Sequence, residues 1–212
     1  RLRDAERSLN ASDNFAVVEG DIGDPATARS LFATAVERFG RVDVLVNNAG
    51  IAPVPPSLLG ITEDLYAKTM DVNFKGPMRL TALAAEHMSA GGSIINISSK
   101  ASLRPSPFTV VYAAAKAAQN ALTKAAAQEF GPRGIRVLSL LPGRIDTDRV
   151  QHLDASTGDA AAARERASAA IPLRRYGRPE EFGDVAAFML SPRASFVNGV
   201  ALAVDGGLLR SL

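Results

Sequence analysis

Two kinds of apolar pattern alternate along this chain. Short β-branched runs are nearly continuous in Val, Ile and Leu: "FAVVEG" from Phe15, "VDVLVNNAG" from Val42, "GGSIINISS" from Gly91, "IRVLSLLPG" from Ile135 and "GVALAVDGG" from Gly199. Between them stand longer stretches with apolar residues at helical spacing: "DPATARSLFATAVERFG", "TEDLYAKTMDVNFKGPMRLTALAAEHM", "VVYAAAKAAQNALTKAAAQEF" and "PEEFGDVAAFML". Strands apolar on both faces and separated by helices build a parallel sheet covered on both sides, so the pattern predicts an α/β, doubly wound domain. The punctuation agrees. Asp24 before Pro25 is an N-cap and first-turn pair, Gly40 stops that helix, and Thr62 can cap the next. From Thr147 to Ala170 the chain is Ala-rich with scattered charge and lacks an apolar stripe, which predicts a mobile helix or lid. No repeat or Pro/Gly/Ser linker divides residues 1–212, so a single domain is expected.

At 212 residues and 47% hydrophobic, the chain can bury a full core. Its 24 basic and 22 acidic residues are interspersed and leave a net charge of +2, so neither a nucleic-acid nor a membrane partner is expected, despite a sequence pI near 9.2. No apolar run approaches the roughly 18 residues of a membrane span, no signal peptide is visible, and the expected location is cytoplasmic. Having no cysteine, the chain can form no disulfide and has no thiol nucleophile; His87 and His152 are isolated, and no metal site is expected. The opening "RLRDAERSLN" reads as the tail of a helix already under way, so a segment upstream of Arg1 is expected.

Open parallel sheets bind ligands beyond the carboxyl ends of their strands. The unusual polar and glycine-containing segments fall there: "NNAG" after Val46, "SS" after Ile97 and "PGRIDT" after Leu141. Singly, each has a plain reading, as a turn with a left-handed glycine, a loop leading into a helix, or a simple turn. Tyr112 and Lys116 are four positions apart and would share one face of a helix. A phenol ordinarily titrates near 10. An ammonium ~4 Å away at an effective dielectric of ~20 supplies ~4 kcal/mol, enough for a shift of about three units if water is excluded. The spacing permits a tuned acid/base, although such a pair is also common in ordinary helices.

Taken together and in order, "NNAG" (Asn47 to Gly50), "MDVNFKG" with Asn73, "SIINISS" ending at Ser99, "YAAAK" (Tyr112 to Lys116) and "PGRIDT" (Pro142 to Thr147) resemble the short-chain dehydrogenase/reductase family. Ser99 precedes Tyr112 by 13 positions, the family's interval, and "RYGRPEEFGDVAAFMLSPRASFVNGVALAVDGG" is similar to its C-terminal region, so the resemblance spans the chain. It implies a Rossmann-type fold and NAD or NADP as cofactor. Tyr112 would be the acid/base, Lys116 would lower its pKa and hold the nicotinamide ribose, and Ser99 rather than Ser98 would hydrogen-bond the substrate oxygen. Asn73 would anchor a water for proton relay. Tyr112 and Lys116 also count among the cofactor contacts. The resemblance further places Asp21 and Ile22 against the adenine, the backbone of Asn47, Ala49 and Gly50 beside the adenosine ribose, and Pro142, Gly143, Ile145 and Thr147 near the carboxamide. Glycine at 50 and 143 would let backbone approach the ligand closely. On the residues alone, Asp21 could equally begin a helix, and Asn73 could bond to a neighbouring backbone.

There are departures from the family pattern. Its first strand and glycine-rich pyrophosphate turn do not occur within these residues; Ala115 stands where serine is frequent, and Leu138 where asparagine is. The residue choosing between NAD and NADP would lie at or before Arg1, with Arg3 a tempting phosphate ligand that an ordinary helix start explains as well. Pro53 to Pro56, Leu103 to Pro107 and the Thr147 to Ala170 lid would line an apolar substrate pocket with Arg104, Arg144 or Arg149 at its rim. An anionic or carrier-linked substrate is one reading of those arginines, and solvated surface charges are the plainer one. The alanine-rich face from Ala113 to Ala127, with the helix ending near His87, resembles the family's subunit interface and implies a homotetramer or homodimer. The expected activity is hydride transfer between a nicotinamide and a small carbonyl or secondary alcohol. The alternatives are a redox-inactive dinucleotide-binding regulator and a lyase or epimerase on the same scaffold.

Overall fold

The structure, a computed structural model, describes residues 14–55 and 57–209. Arg1, Arg3 and Pro56, which carry part of the cofactor-choice and pocket expectations, lie outside the described residues. Four parallel strands, β1 (Val44–Asn47), β2 (Ser93–Ile97), β3 (Arg136–Pro142) and β4 (Ala201–Val204), form one sheet in the order β1-β2-β3-β4. Val46 is level with Ile95, Ile95 with Leu138, and Leu140 with Leu202.

Alternate residues of each strand face opposite cores, which explains why the runs are apolar throughout. Ile94 and Val137 pack with Phe32 of α1 (Pro25–Phe39), Leu80 and Ala84 of α3 (Gly76–His87), and Ala126 of α4 (Val110–Phe130). On the other face Ile95, Leu138 and Leu140 meet Phe182, Val185 and Met189 of α7 (Pro179–Leu190). Leu138, at the position of the family's frequent asparagine, is fully buried there, so packing takes the place of a hydrogen-bonding side chain.

The predicted caps form. Asp24 accepts from the N–H of Ala26 at 2.9 Å, Gly40 closes α1 with φ of 74°, and Thr62 accepts from the N–H of Leu65 at 3.1 Å to start α2 (Glu63–Met70). The segment read as one helix from Thr62 to Met88 is α2 and α3 joined by a π-helical turn, Asp71–Lys75. A cause is visible in the sequence: Pro77 has no N–H to give to the carbonyl four residues back, that of Asn73. The lid segment folds as two helices, α5 (Asp148–Ala155) and α6 (Ala160–Ala169), rather than one.

One predicted strand does not form. Phe15 to Glu19 pairs with no strand among the described residues, and a parallel strand exists only through its ladder to a neighbour. The outer edge of β1 is likewise unpaired among them. Val44 and Val46, 46% and 45% exposed, border an apolar groove with Leu31, Phe32 and Val42. Among the described residues no helix is long and apolar enough to cross a membrane.

Candidate active site

A cleft of about 580 Å³ opens beyond the carboxyl ends of β1, β2 and β3. Asn48 and Gly50 reach it from β1, Ser99 from β2, and Tyr112 and Lys116 from the first turns of α4. Pro142, Gly143, Ile145 and Thr147 follow β3 along its far wall. Four separate elements thus deliver the residues singled out by spacing.

Lys116 is 3% exposed, and its ammonium donates to the carbonyl of Ile97 at 2.7 Å and to Oε1 of Gln119 at 3.1 Å. Burial, followed by the positive charge of Arg149, lowers its pKa to about 8. The ammonium lies 5.9 Å from the centre of the Tyr112 ring, as the shared helical face requires. The Tyr112 hydroxyl has no hydrogen-bond partner among the described residues, and the side chain lines the cleft.

The two serines divide their duties. Ser98 is buried and its hydroxyl donates to the carbonyl of Lys116 at 3.2 Å, a structural bond. Ser99 accepts from the N–H of Ala101 at 3.1 Å and heads the turn that carries the cleft wall. Its carbonyl accepts from Ser102 Oγ at 2.7 Å, Ser102 Oγ accepts from Asn120 Nδ2 at 2.8 Å, and Asn120 Oδ1 accepts from Ser139 Oγ at 2.9 Å. This relay from β3 through α4 holds Ser99 in place. Sequence reading missed Ser102, Gln119, Asn120 and Ser139. The available signal was a Gln-Asn pair inside an otherwise alanine-rich helix.

Asn73 is wholly buried, and its side chain is fully engaged. Oδ1 accepts from the N–H of Ile51 at 3.2 Å, while Nδ2 donates to the carbonyls of Ile51 at 2.8 Å and Thr69 at 2.9 Å. The side chain therefore clamps the loop after β1, which leaves its backbone carbonyl as the group that could meet a water. A Cβ on Gly50 would sit 2.9 Å from Asn73 Oδ1, so this glycine makes room for the clamp. At Gly143 a Cβ would lie 2.6 Å from the Cα of Asp205. The residue after β4 thus demands a glycine at this position of the cleft wall.

Other carried-over positions sit apart from the cleft. Asn47 is buried, with Nδ2 donating to Asn96 Oδ1 at 2.8 Å and Thr81 Oγ1 at 3.2 Å, so its side chain faces the core. Ile22 and Ala49 line the apolar groove beside β1. Asp21 pairs with Lys68 and accepts from the N–H of Gly23; the bond from Lys68 holds its carboxyl below the usual range. Of the expected pocket segments, Leu103 to Pro107 contributes Arg104 and Ser106, and the lid contributes Arg149, Val150 and Leu153. Pro53 to Pro55 do not reach the cleft, and Ala52 does.

The lid is tied down at its base. Asp154, 4% exposed, accepts from Arg144 Nη1 at 3.0 Å and from the Tyr176 hydroxyl at 2.9 Å. Arg164 of α6 makes a bidentate pair with Asp146 and lies 4.5 Å over the Tyr176 ring. Hydrogen bonds from Arg164 and Gln151 bring the Asp146 pKa down to about 2. Ile145 bridges to Gly177, which fastens the loop after β3 to the segment leading into α7.

The donor set fits a dinucleotide. The cleft has the size of a ligand site at strand ends, and the charged side chains lining it, Lys100, Arg104, Lys116, Arg144 and Arg149, are all cations. The comparisons agree. A family model described as Enoyl-(Acyl carrier protein) reductase matches residues 1–209. The chain is 38% identical over 198 residues to L-rhamnose 1-dehydrogenase (NAD(P)(+)) of Sphingomonas sp. (strain SKA58), covering 92% of this chain and 76% of the relative. It is 36% identical over 191 residues to the 3-oxoacyl-(acyl-carrier-protein) reductase FabG of Thermotoga maritima, covering 89% and 75% respectively. The crystal structure of a short-chain dehydrogenase/reductase, glucose/ribitol dehydrogenase, from Brucella melitensis superposes with a TM-score of 0.86 at 30% identity, covering 99% of this chain and 82% of that one. With that sheet, that cleft and these relatives, the chain belongs to the short-chain dehydrogenase/reductase family, NAD(P)-dependent oxidoreductases that move hydride between the nicotinamide and a substrate carbon.

Proposed function

We propose that Tyr112 is the acid/base of a carbonyl reductase or secondary-alcohol dehydrogenase, with Ser99 holding the same substrate oxygen. The observation that carries this reading is the convergence of Ser99, Tyr112 and Lys116, from β2 and α4, on one cleft. NAD(P), when bound, would supply or accept the hydride. In reduction, the Tyr112 hydroxyl gives its proton to the carbonyl oxygen; in oxidation, the phenolate takes the proton from the alcohol. Ser99 Oγ donates to that oxygen as negative charge grows on it. Lys116 would hold a ribose hydroxyl and keeps positive charge beside the phenol, and with a pKa of about 8 its ammonium can release and regain a proton near neutral pH. The carbonyl of Asn73, which Pro77 cannot bond, is the place for a relay water. Pro142, Gly143, Ile145 and Thr147 would face the carboxamide, and the backbone at Asn47, Ala49 and Gly50 would run beside the adenosine ribose. Asp21 and Ile22 would take the adenine only if Asp21 gives up part of its pairing with Lys68.

The same reading extends to assembly. Ala114, Ala117, Ala121 and Ala125 form an exposed stripe on α4, and Met78 of α3 is 40% exposed, a surface suited to close helix packing in a homodimer or homotetramer. The chain acts as one domain in the cytoplasm. The test is Tyr112→Phe: oxidation and reduction, followed at the nicotinamide absorbance, fall by about 10²–10⁴-fold, while NAD(P) affinity stays within a few-fold. Retained turnover would sink the reading.

A further inference from the structure

The cleft carries an excess of positive charge that proton chemistry at Tyr112 does not use. Lys100 and Arg104 stand on the segment between Ser99 and Tyr112, and Arg149 stands in the first turn of α5 on the lid. Among the described residues no carboxylate lines the cleft. Arg144 is neutralised by Asp154, whereas Lys100, Arg104 and Arg149 form no ion pair with any described residue. Burial first, then the charges of Arg144 and Arg104, lower the Lys100 pKa; Asp205 only partly offsets them. Like charges gathered without counter-ions repel one another, and an anion placed among them relieves that repulsion.

We propose that the substrate is a carbonyl or alcohol compound bearing a compact anionic group, a carboxylate or a phosphate, held by Arg104 and Arg149 with Lys100 beside them. This deepens the reading of the site and rests on it. Arg104 stands on the segment that joins the two residues gripping the reacting oxygen and lines the same cleft, so an anion on its guanidinium is within the site where the substrate carbon reacts. Arg149 comes from the lid, so the same anion draws α5 toward the cleft. Guanidinium is suited to carboxylate and phosphate alike through two parallel hydrogen bonds.

The experiment compares matched substrates: a 3-oxo acid, its methyl ester, and a ketone carrying a phosphate. Turnover is followed with whichever of NADH and NADPH binds more tightly. The expected kcat/KM for at least one anionic compound exceeds that of the ester by about tenfold or more, and the ratio collapses by about tenfold in Arg104→Gln and in Arg149→Gln. A preference for only the acid, or only the phosphate, identifies the anion. As an activity-independent readout, the corresponding 3-hydroxy acid or hydroxy phosphate raises Tm of the wild type more than the neutral ester does, and this difference disappears in the two variants. An ester used as well as both anions overturns the proposal. So does an Arg104→Gln variant whose loss is confined to NAD(P) affinity, because the arginine would then serve the cofactor's phosphates. Loss of all turnover in Tyr112→Phe, against retained ester turnover in Arg104→Gln, separates failure of this proposal from failure of the acid/base reading.

Discussion

The ammonium of Lys116 reaches across from α4 to the carbonyl oxygen of Ile97, 2.7 Å away, and so joins the helix that carries Tyr112 to the end of the strand that leads into Ser99. The bond sets the two catalytic candidates in one frame. It also keeps a cation in a place that is 97% shielded from solvent, given the 3% exposure of the residue.

That burial gives a signature in stability. The Lys116 pKa is lowered from 10.5 to about 8 in the folded chain, so between these pH values the unfolded chain binds the extra proton and folding stability rises with pH. Below pH 8 the full cost is present; above 10.5 it is gone. In denaturant titrations, wild type should gain on the order of 3 kcal/mol relative to Lys116→Met across this window. Parallel curves for the two proteins would contradict it.

Gln119 is fully buried and gives Lys116 its second acceptor. Gln119→Leu removes an acceptor that bonds the ammonium more strongly than the neutral amine, so the ammonium pKa falls further and the pH profile of activity moves to lower pH. A loss of activity without a shift in the profile would assign Gln119 to packing alone.

Much of this was readable beforehand. The β2 and β3 runs announced strands buried on both faces because their apolar residues alternate between two cores, Ile94 and Val137 in one, Ile95 and Leu138 in the other. Asp24, Gly40 and Thr62 announced helix ends through local chemistry that tertiary contacts did not override. Phe15 to Glu19 misled because strand character needs a neighbour, which composition cannot supply. What the sequence could not show is what else these positions do: the Asn47 side chain bonds to Asn96, and Gly143 makes room for Asp205, because a residue's neighbours depend on what the fold brings up to it.

The relay through Asn120 should be measurable. Asn120→Ala leaves Ser139 Oγ without its acceptor and Ser102 Oγ without its donor, at a cost of about 1–3 kcal/mol. Because the relay steadies the Ser99 turn, kcat should fall while NAD(P) affinity is kept. Calorimetry and steady-state kinetics on the same preparation test both halves.

The lid clamp can be opened at one carboxylate. Asp154→Leu leaves the Arg144 guanidinium and the Tyr176 hydroxyl without their shared acceptor. Stability should drop by about 3–5 kcal/mol, and limited proteolysis should cut faster between residues 147 and 170.

Two glycines offer a paired control. Gly143→Ala drives a Cβ to 2.6 Å from Asp205 and should cost about 1–3 kcal/mol. Gly183→Ala, on the exposed face of α7 with nothing within 4 Å, should gain up to about 1 kcal/mol. Thermal melts of the two variants should shift in opposite directions.

Asn73 grips both the N–H and the carbonyl of Ile51 from inside a turn of the helix. An added or deleted residue between Thr69 and Asn73 would swing that amide by about 100° around the axis and aim it at the wrong neighbour. The helix thus works as a ruler whose phase, more than its length, is what evolution or an engineer must preserve. Loop lengths on the lid can drift while this short span stays locked to the residue count.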